Sequence, residues 1–461
     1  VSCFPVWRSS IVALTGVVLV FEGMPALARP MLAQPRTDVA SVAACDPRED
    51  GSNPCPRQLR RPPRRPLSAM AQIGKALFYD RELSGSGKIS CASCHDPAAH
   101  YGPARADSVF TGGVGLDRQG HRAILSLTYL ERQPNFSIGP DDAVADDTVA
   151  PIQAPHDVVR GSAKSASNTA ASAVQLVPQG GLFWDGRADT LQQQATGPLY
   201  DPAEMAATRD RVLHRLRTAP YAGALMDFAG YQGRRYPDYL VAEALFALAR
   251  YQIEETDFHS YSSKFDDWLE GKARFTPEER RGYLLFNDPK KGNCAACHVD
   301  QMKPDHLPPL FTDHQYESLG VPRNMDLVQN RNPAYFDLGV CDRQPDGKKL
   351  LAPYCGMFAT PTLRNVAARK VFFHNGVFHS LDDVMDFYVL RDIDPARFYG
   401  KDAHGRVHAY DDLPAPYRDN LDTTDAPFDR KPGDKPALDE NERQAVIAFL
   451  KTLTDRKTTQ P

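Results

Sequence analysis

The sequence is short of several things. Its formal net charge is only −4 over 461 residues, which gives no broad basic field for nucleic acid. Tryptophan occurs three times and cysteine nine times. Little of the chain alternates polar and apolar residues as strands do, so a sheet-based fold is not indicated. The apolar run near the N-terminus, "IVALTGVVLVF", is too short to span a bilayer comfortably. With Arg8 before it and "PALA" after it, the run reads as a signal peptide over residues 1–28, an uncleaved anchor being the alternative. Export implies an oxidising compartment, here a periplasm.

The few cysteines are placed with purpose. "SCASCHDP" sets Cys91, Cys94 and His95 together, and "NCAACHVD" repeats the device at Cys294, Cys297 and His298. Two cysteines at this spacing can each form a thioether to a haem vinyl group, and the adjacent histidine then ligates the iron. Random placement would give about 0.005 such matches in a chain of this composition. Zinc would need two more ligands per site. A thioredoxin-like pair would need strand–helix alternation nearby. Both alternatives fit poorly, and two covalent c-type haems are expected. Cys45, Cys55, Cys341 and Cys355 remain for disulfides. Cys45–Cys55 and Cys341–Cys355 are the local pairings among three connectivities.

The haem motifs share an approach: "GKALFYD" precedes the first and "GYLLFND" the second. This points to an internal duplication, two cytochrome-c-like units of a few helices each, joined by long irregular loops. The expected fold is mostly α. "YLVAEALFALARYQI" puts Val241, Ala244, Leu245 and Leu248 at helical spacing. Thr276, Pro277 and Glu279 read as a capping box opening a new helix, and Asp439 with Glu442 as another, ahead of a stripe of Val446, Phe449, Leu450 and Leu453. The expected organisation is a Pro/Arg-rich linker over 29–67, a first haem domain over 68–270 and a second over 271–461. The basic "RQLRRPPRRP" in that linker reads as extended and solvated.

Taken together, "LFYDRELSGSGKISCASCHDP", "FWDGRADTLQQQATGPLYDPAEM", "FTDHQYESLGVPRN" and "MFATPTLRNVAARKVFFHNGVFHSLDDVMDFY" resemble the bacterial dihaem cytochrome c peroxidases and their MauG-type relatives, from about Leu67 onward. The resemblance implies that the haem on His95 is peroxidatic and the haem on His298 transfers electrons. It matches Trp184 to the tryptophan between the haems. Gln194, Pro198 and Glu204 fall at the spacings of the distal-pocket residues. Met357 matches the methionine that completes the second haem of the peroxidases. MauG-type enzymes use a tyrosine further on, and the position matched to it is Phe372, which has no donor atom. The family's capping histidine is missing from "ADSVFTGGVG". His100 follows the first loop too soon to replace it, and His121 and His156 fall in what reads as an insertion, so an open or water-bound first iron is expected. The family's calcium ion has Asn168 as a candidate ligand here.

The chemistry can be argued from the residues. Cleaving the O–O bond of hydrogen peroxide needs a proton moved from one oxygen to the other, by a group of suitable pKa. Glu204 qualifies if partly buried, although "DPAEM" also reads as an acidic first turn of a helix. Gln194 can orient peroxide. Trp184 can bridge two macrocycles, or simply pack. The expected activity is peroxide reduction at the N-terminal haem, fed through the second haem by a small exported cytochrome c or copper protein. The alternative is MauG-type oxidation of a protein or organic substrate by two oxidising equivalents held across both haems. A dihaem electron carrier is the non-enzymatic reading.

Overall fold

Ser68 starts the first helix: its hydroxyl accepts from Ala71 N and caps α1, Ala69–Phe78. The structure is a computed structural model that describes residues 45–141 and 176–456. The signal-peptide reading, His156 and Asn168 lie outside those residues. After α1 come α2 (Cys91–Cys94), α3 (Leu191–Tyr200), α4 (Arg209–Thr218), α5 (Ala222–Arg235) and α6 (Pro237–Glu254). Then follow α7 (Lys264–Leu269), α8 (Pro277–Asn287), α9 (Gly347–Leu350), α10 (Leu381–Leu390) and α11 (Glu440–Lys451). Strands are few and short. The antiparallel pairs are β1 (Thr111–Gly112) with β2 (Arg118–Gln119), β3 (Ser137–Pro140) with β4 (Leu176–Gln179), and β5 (Tyr316–Glu317) with β6 (Phe358–Ala359). The fold is mostly helical, as expected. Both expected capping boxes form, at Thr276–Glu279 and Asp439–Glu442.

Two cores result. The first gathers Leu77, Leu216, Leu225, Leu240 and Tyr251 from α1, α4, α5 and α6. The second gathers Phe265, Trp268, Phe286, Phe449 and Leu450 from α7, α8 and α11. Each core turns on one glycine. A Cβ on Gly74 of α1 would lie 1.9 Å from Ala247 O of α6 and 2.9 Å from Tyr251 Cβ. A Cβ on Gly282 of α8 would lie 1.9 Å from Ala445 O of α11 and 2.9 Å from Phe449 Cβ. Only glycine allows helices to cross so closely, and these are the glycines that open "GKALF" and "GYLLF".

Most of the basic stretch over residues 57–66 is exposed, and two of its residues are anchored. Residues 45–67 contain no helix or strand, but they are strapped to the second core. Cys45 pairs with Cys55, and Gly51 O accepts from the Trp268 indole at 3.1 Å. Leu59 is buried in that core, and Arg61 Nη1 meets Glu270 Oε1 at 2.7 Å. The apolar Leu59 and the acidic Glu270 give the basic stretch something to bind, which its own composition does not reveal.

A buried ion pair also braces α7 within the second core. Arg364 donates to both oxygens of Asp266 at 2.9 and 3.0 Å, with side chains 1% and 0% exposed. Its guanidinium also lies 5.0 Å from the Tyr129 ring, and the Tyr129 hydroxyl donates to Asp455. Removing one partner leaves a buried charge uncompensated. Arg364→Leu is therefore expected to lower unfolding free energy by about 3–5 kcal/mol, measured by urea denaturation of the holoprotein. A loss below about 1 kcal/mol, the scale of an exposed pair, would contradict that role.

Candidate active site

Both Cys-x-x-Cys-His motifs open onto one continuous cavity of about 920 Å³. Cys94 and His95 line it, as do Cys294, Cys297 and His298. The four motif cysteines form no disulfide. In each loop the histidine is oriented from behind. His95 Nδ1 bonds Tyr101 O at 3.1 Å, and His298 Nδ1 bonds Phe311 O at 2.9 Å. A carbonyl on Nδ1 fixes the tautomer and leaves Nε2 as the nitrogen for a metal. Burial, countered by carbonyls of Tyr101 and Leu125 and reinforced by the Arg369 cation, depresses His95 to about 4. Its imidazole is thus neutral, as a ligand must be.

The expected distal residues come together beside the first motif. Thr190 caps α3, which sets Gln194 and Pro198 four residues apart on one face. Both line the cavity, as does Glu204. Residues 202–205 form a turn; the next helix begins at Arg209, capped by Thr208. Glu204 is therefore not a first-turn helix acid. Its carbonyl accepts from Gly113 N at 2.8 Å, and a Cβ on Gly112 would lie 2.6 Å from Glu204 O. The "TGG" segment is thus a close-fitting backstop for the glutamate. Burial, aided by Asp201 and opposed by Arg187, pushes Glu204 up to about 7. It is close enough to Cys94 to be felt by that thiol.

Trp184 is 6% exposed and lines the cavity. Its Nε1 donates to Ala123 O at 2.8 Å, and its own carbonyl accepts from Ala359 N of β6 at 2.9 Å. The ring is thus tied to Ala123, and the backbone of the same residue to β6. Nearby, Arg122 makes a two-pronged pair with Asp337, at 2.6 and 2.7 Å, and a third bond to Asp185 at 2.7 Å. His374 stacks on Phe358 with ring centroids 3.5 Å apart. His121 Nδ1 bonds Gln329 Oε1 at 2.9 Å.

Met357 is not in the cavity. It is 5% exposed and packs with Leu338, Val340, Tyr354 and Tyr316 beside the Cys341–Cys355 disulfide. The cause is local. Met357 N donates to Tyr354 O, and its carbonyl accepts from Val340 N at 3.0 Å. The next residue, Phe358, lines the cavity in its place. Neither Met302 nor Met325 lines the cavity. Met302 packs on the second core and Met325 is exposed. Two residues of α10 with donor atoms line the cavity, Met385 and Tyr388, and Tyr388 is the one that feels the thiols of the second motif. Burial raises its phenol pKa, and the thiols of Cys297 and Cys294 are its next strongest influences. Phe372 also lines the cavity but offers no donor.

One further group tests whether the cavity suits haem. Arg369 lines it, and its Nη2 donates to Ile124 O at 3.0 Å. Among the described residues no carboxylate pairs with it. Burial pulls it down to about 10, so it stays charged at neutral pH. A buried cation lacking an anion suits a cofactor that brings its own carboxylates, as haem does with its propionates. Cys91, Cys94 and His95 would hold one such group, and Cys294, Cys297 and His298 the other.

Comparison with known proteins agrees with this geometry. Residues 68–274 match the family described as Di-haem cytochrome c peroxidase. The chain is 30% identical over 401 residues to the methylamine utilization protein MauG of Paracoccus denitrificans, covering 84% of this chain and 89% of that one. It is 27% identical over 343 residues to cytochrome c551 peroxidase of Nitrosomonas europaea, covering 74% and 78%. The crystal structure of the diheme peroxidase BthA from Burkholderia thailandensis superposes with a TM-score of 0.72 at 34% identity, covering 85% and 87%. With its paired haem-attachment loops on one cavity, the chain belongs to the di-haem cytochrome c peroxidase and MauG family of oxidoreductases.

Proposed function

We propose that this is an exported, periplasmic enzyme in which hydrogen peroxide is reduced beside His95, while His298 anchors a closed second haem. The observation that carries the reading is the single cavity lined by both motifs, with Trp184 on its wall, tied to Ala123, and Glu204 beside the first. The haems supply the redox chemistry, and the chain supplies proton handling, orientation and electrical coupling. Gln194 orients peroxide through its amide. Glu204, ionised on the way through about pH 7, accepts the proton of one peroxide oxygen and returns it to the other. Trp184 couples the two sites. The duplication is read from the matching glycine crossings at Gly74 and Gly282 and the matching histidine–carbonyl bonds.

The second site separates the two activities named among the relatives. Tyr388 is proposed as the residue that would supply a second protein donor to the haem held by Cys294, Cys297 and His298. A phenolic oxygen, unlike a methionine sulfur, favours the ferric state and a low potential. That suits a site that shares oxidising equivalents better than one that stores donor electrons. It favours MauG-type oxidation of an organic or protein substrate over simple peroxide reduction. The test is peroxide turnover with a reduced small cytochrome c or copper protein as donor. Fast steady-state oxidation of that donor would return the peroxidase reading to first place.

Arg369 gives a separate check on the first haem. If its cation balances propionate charge, Arg369→Gln should lower the midpoint potential of that haem, because the ferric form loses a repelling neighbour. Spectroelectrochemistry reads this directly. An unchanged potential would place the guanidinium away from the cofactor's carboxylates.

A further inference from the structure

A line of aromatic rings runs from the first haem loop to the surface, away from the cavity. Tyr101, whose carbonyl accepts from His95, turns its ring into the first core at a φ of 53°. The ring stacks on Phe258 with centroids 3.7 Å apart, and Phe258 meets Tyr251 at 5.4 Å. Phe78 touches Tyr101, Tyr251 and Tyr79 at 6.1, 5.5 and 5.4 Å. The phenol of Tyr251 interacts with those of both Tyr101 and Tyr79. Tyr101 and Tyr251 are buried, whereas Tyr79 is 44% exposed at the end of α1.

Packing does not ask for this arrangement. Phenylalanine would fill the same space, whereas here the phenol oxygens are linked to one another through Tyr251. Here the three rings with hydroxyls form a series from His95 outward, and the two phenylalanines flank it. Lys75 lies over the Tyr251 ring at 5.8 Å, but its charge is paired with Glu255 at 3.4 Å. The Lys75 charge over that ring is thus offset by a carboxylate.

We propose that Tyr101, Tyr251 and Tyr79 form a conduit for oxidising equivalents from the His95 site to the surface, where Tyr79 oxidises phenols and other electron-rich aromatic donors too large for the cavity. The inference rests on the reading that peroxide is reduced beside His95. The balance is simple. Hydrogen peroxide takes up two electrons and two protons and becomes two waters. Each electron leaves the Tyr79 ring and moves inward through Tyr251 and Tyr101. The Tyr79 phenolic proton passes to solvent, leaving a neutral tyrosyl radical. The donor then returns one electron and one proton to Tyr79, and two donors are oxidised by one electron each per peroxide.

The test uses the holoenzyme mixed with hydrogen peroxide, without donor. Stopped-flow absorption follows the haems, and freeze-quench EPR follows radicals. The expected result is a tyrosyl signal that narrows when the protein carries ring-deuterated tyrosine. Tyr251→Phe and Tyr79→Phe should lose most of that signal and most oxidation of a bulky phenol, with haem absorption changes at the parent rate. Tyr79 is partly exposed, so its variant tests the idea even if Tyr251→Phe fails to fold. If the haems react and no tyrosyl radical forms, or if both variants keep it in full, the conduit is overturned and the peroxide reading stands. If the parent haems do not react with peroxide, the peroxide reading falls and the conduit with it.

Discussion

Glu204→Gln should react with hydrogen peroxide about 10²–10⁴-fold more slowly than the parent, the usual span for losing a positioned acid–base group. Glutamine keeps the size and hydrogen-bonding shape and removes the titrating proton. Haem attachment should not change, because Cys91, Cys94 and His95 belong to another loop. A pH profile makes the prediction sharper. The carboxyl must be ionised to accept a proton, and burial has raised its pKa to about 7. The parent rate should therefore climb as pH rises through about 7 and level off above it, while the Gln variant stays flat. Arg187 opposes the upward shift, so Arg187→Met should move the inflection to higher pH. Gln194→Ala should cost less than Glu204→Gln, since it removes orientation and no proton. A Glu204→Gln enzyme that reacts at the parent rate would remove the glutamate from the chemistry.

How far the sequence could be read depended on whether a signal was local. The capping boxes at Thr276 and Asp439 are short-range patterns, and the helices start where those residues place them. The two haem motifs and the two disulfides are equally local, with both partners close in sequence. "GKALF" and "GYLLF" end in Leu-Phe before a loop, a common pairing. Their information lies in Gly74 and Gly282, which meet helices more than 150 residues away. Arg369 carried no pattern at all. In "AARKV" it reads as an ordinary surface cation, and only the fold buries it against Ile124. The strapped segment around Leu59 and Arg61 was missed for the same reason, since its partners Trp268, Leu269 and Glu270 come from α7 and its C-terminal edge.

Exchanging Tyr388 for Met should raise the potential of the second haem by on the order of a few tenths of a volt, within the roughly 0.8 V that axial ligands span. Exchanging it for Phe should leave that haem without its second protein donor and shift its spectrum toward high spin. Met357 supplies the contrast. "GMFATPTLRN" matches by sequence, and the fold places the Met357 side chain in a separate small core and not along the cavity that Tyr388 lines. Gly339, at a φ of 57°, approaches so closely that a Cβ there would lie 2.0 Å from Met357 O. That contact and the Val340 bond fix the Met357 backbone, and its side chain fills the small core beside the Cys341–Cys355 disulfide. Met357→Leu is a near-isosteric change there, expected to cost less than about 1.5 kcal/mol and to leave both haem spectra and both potentials unchanged. Tyr388, by contrast, comes from α10, whose Ser380 cap sets the helix against the second motif. If Met357→Leu instead drops the second potential while Tyr388→Met leaves it fixed, the sulfur is the ligand and the loop must rearrange around the bound haem.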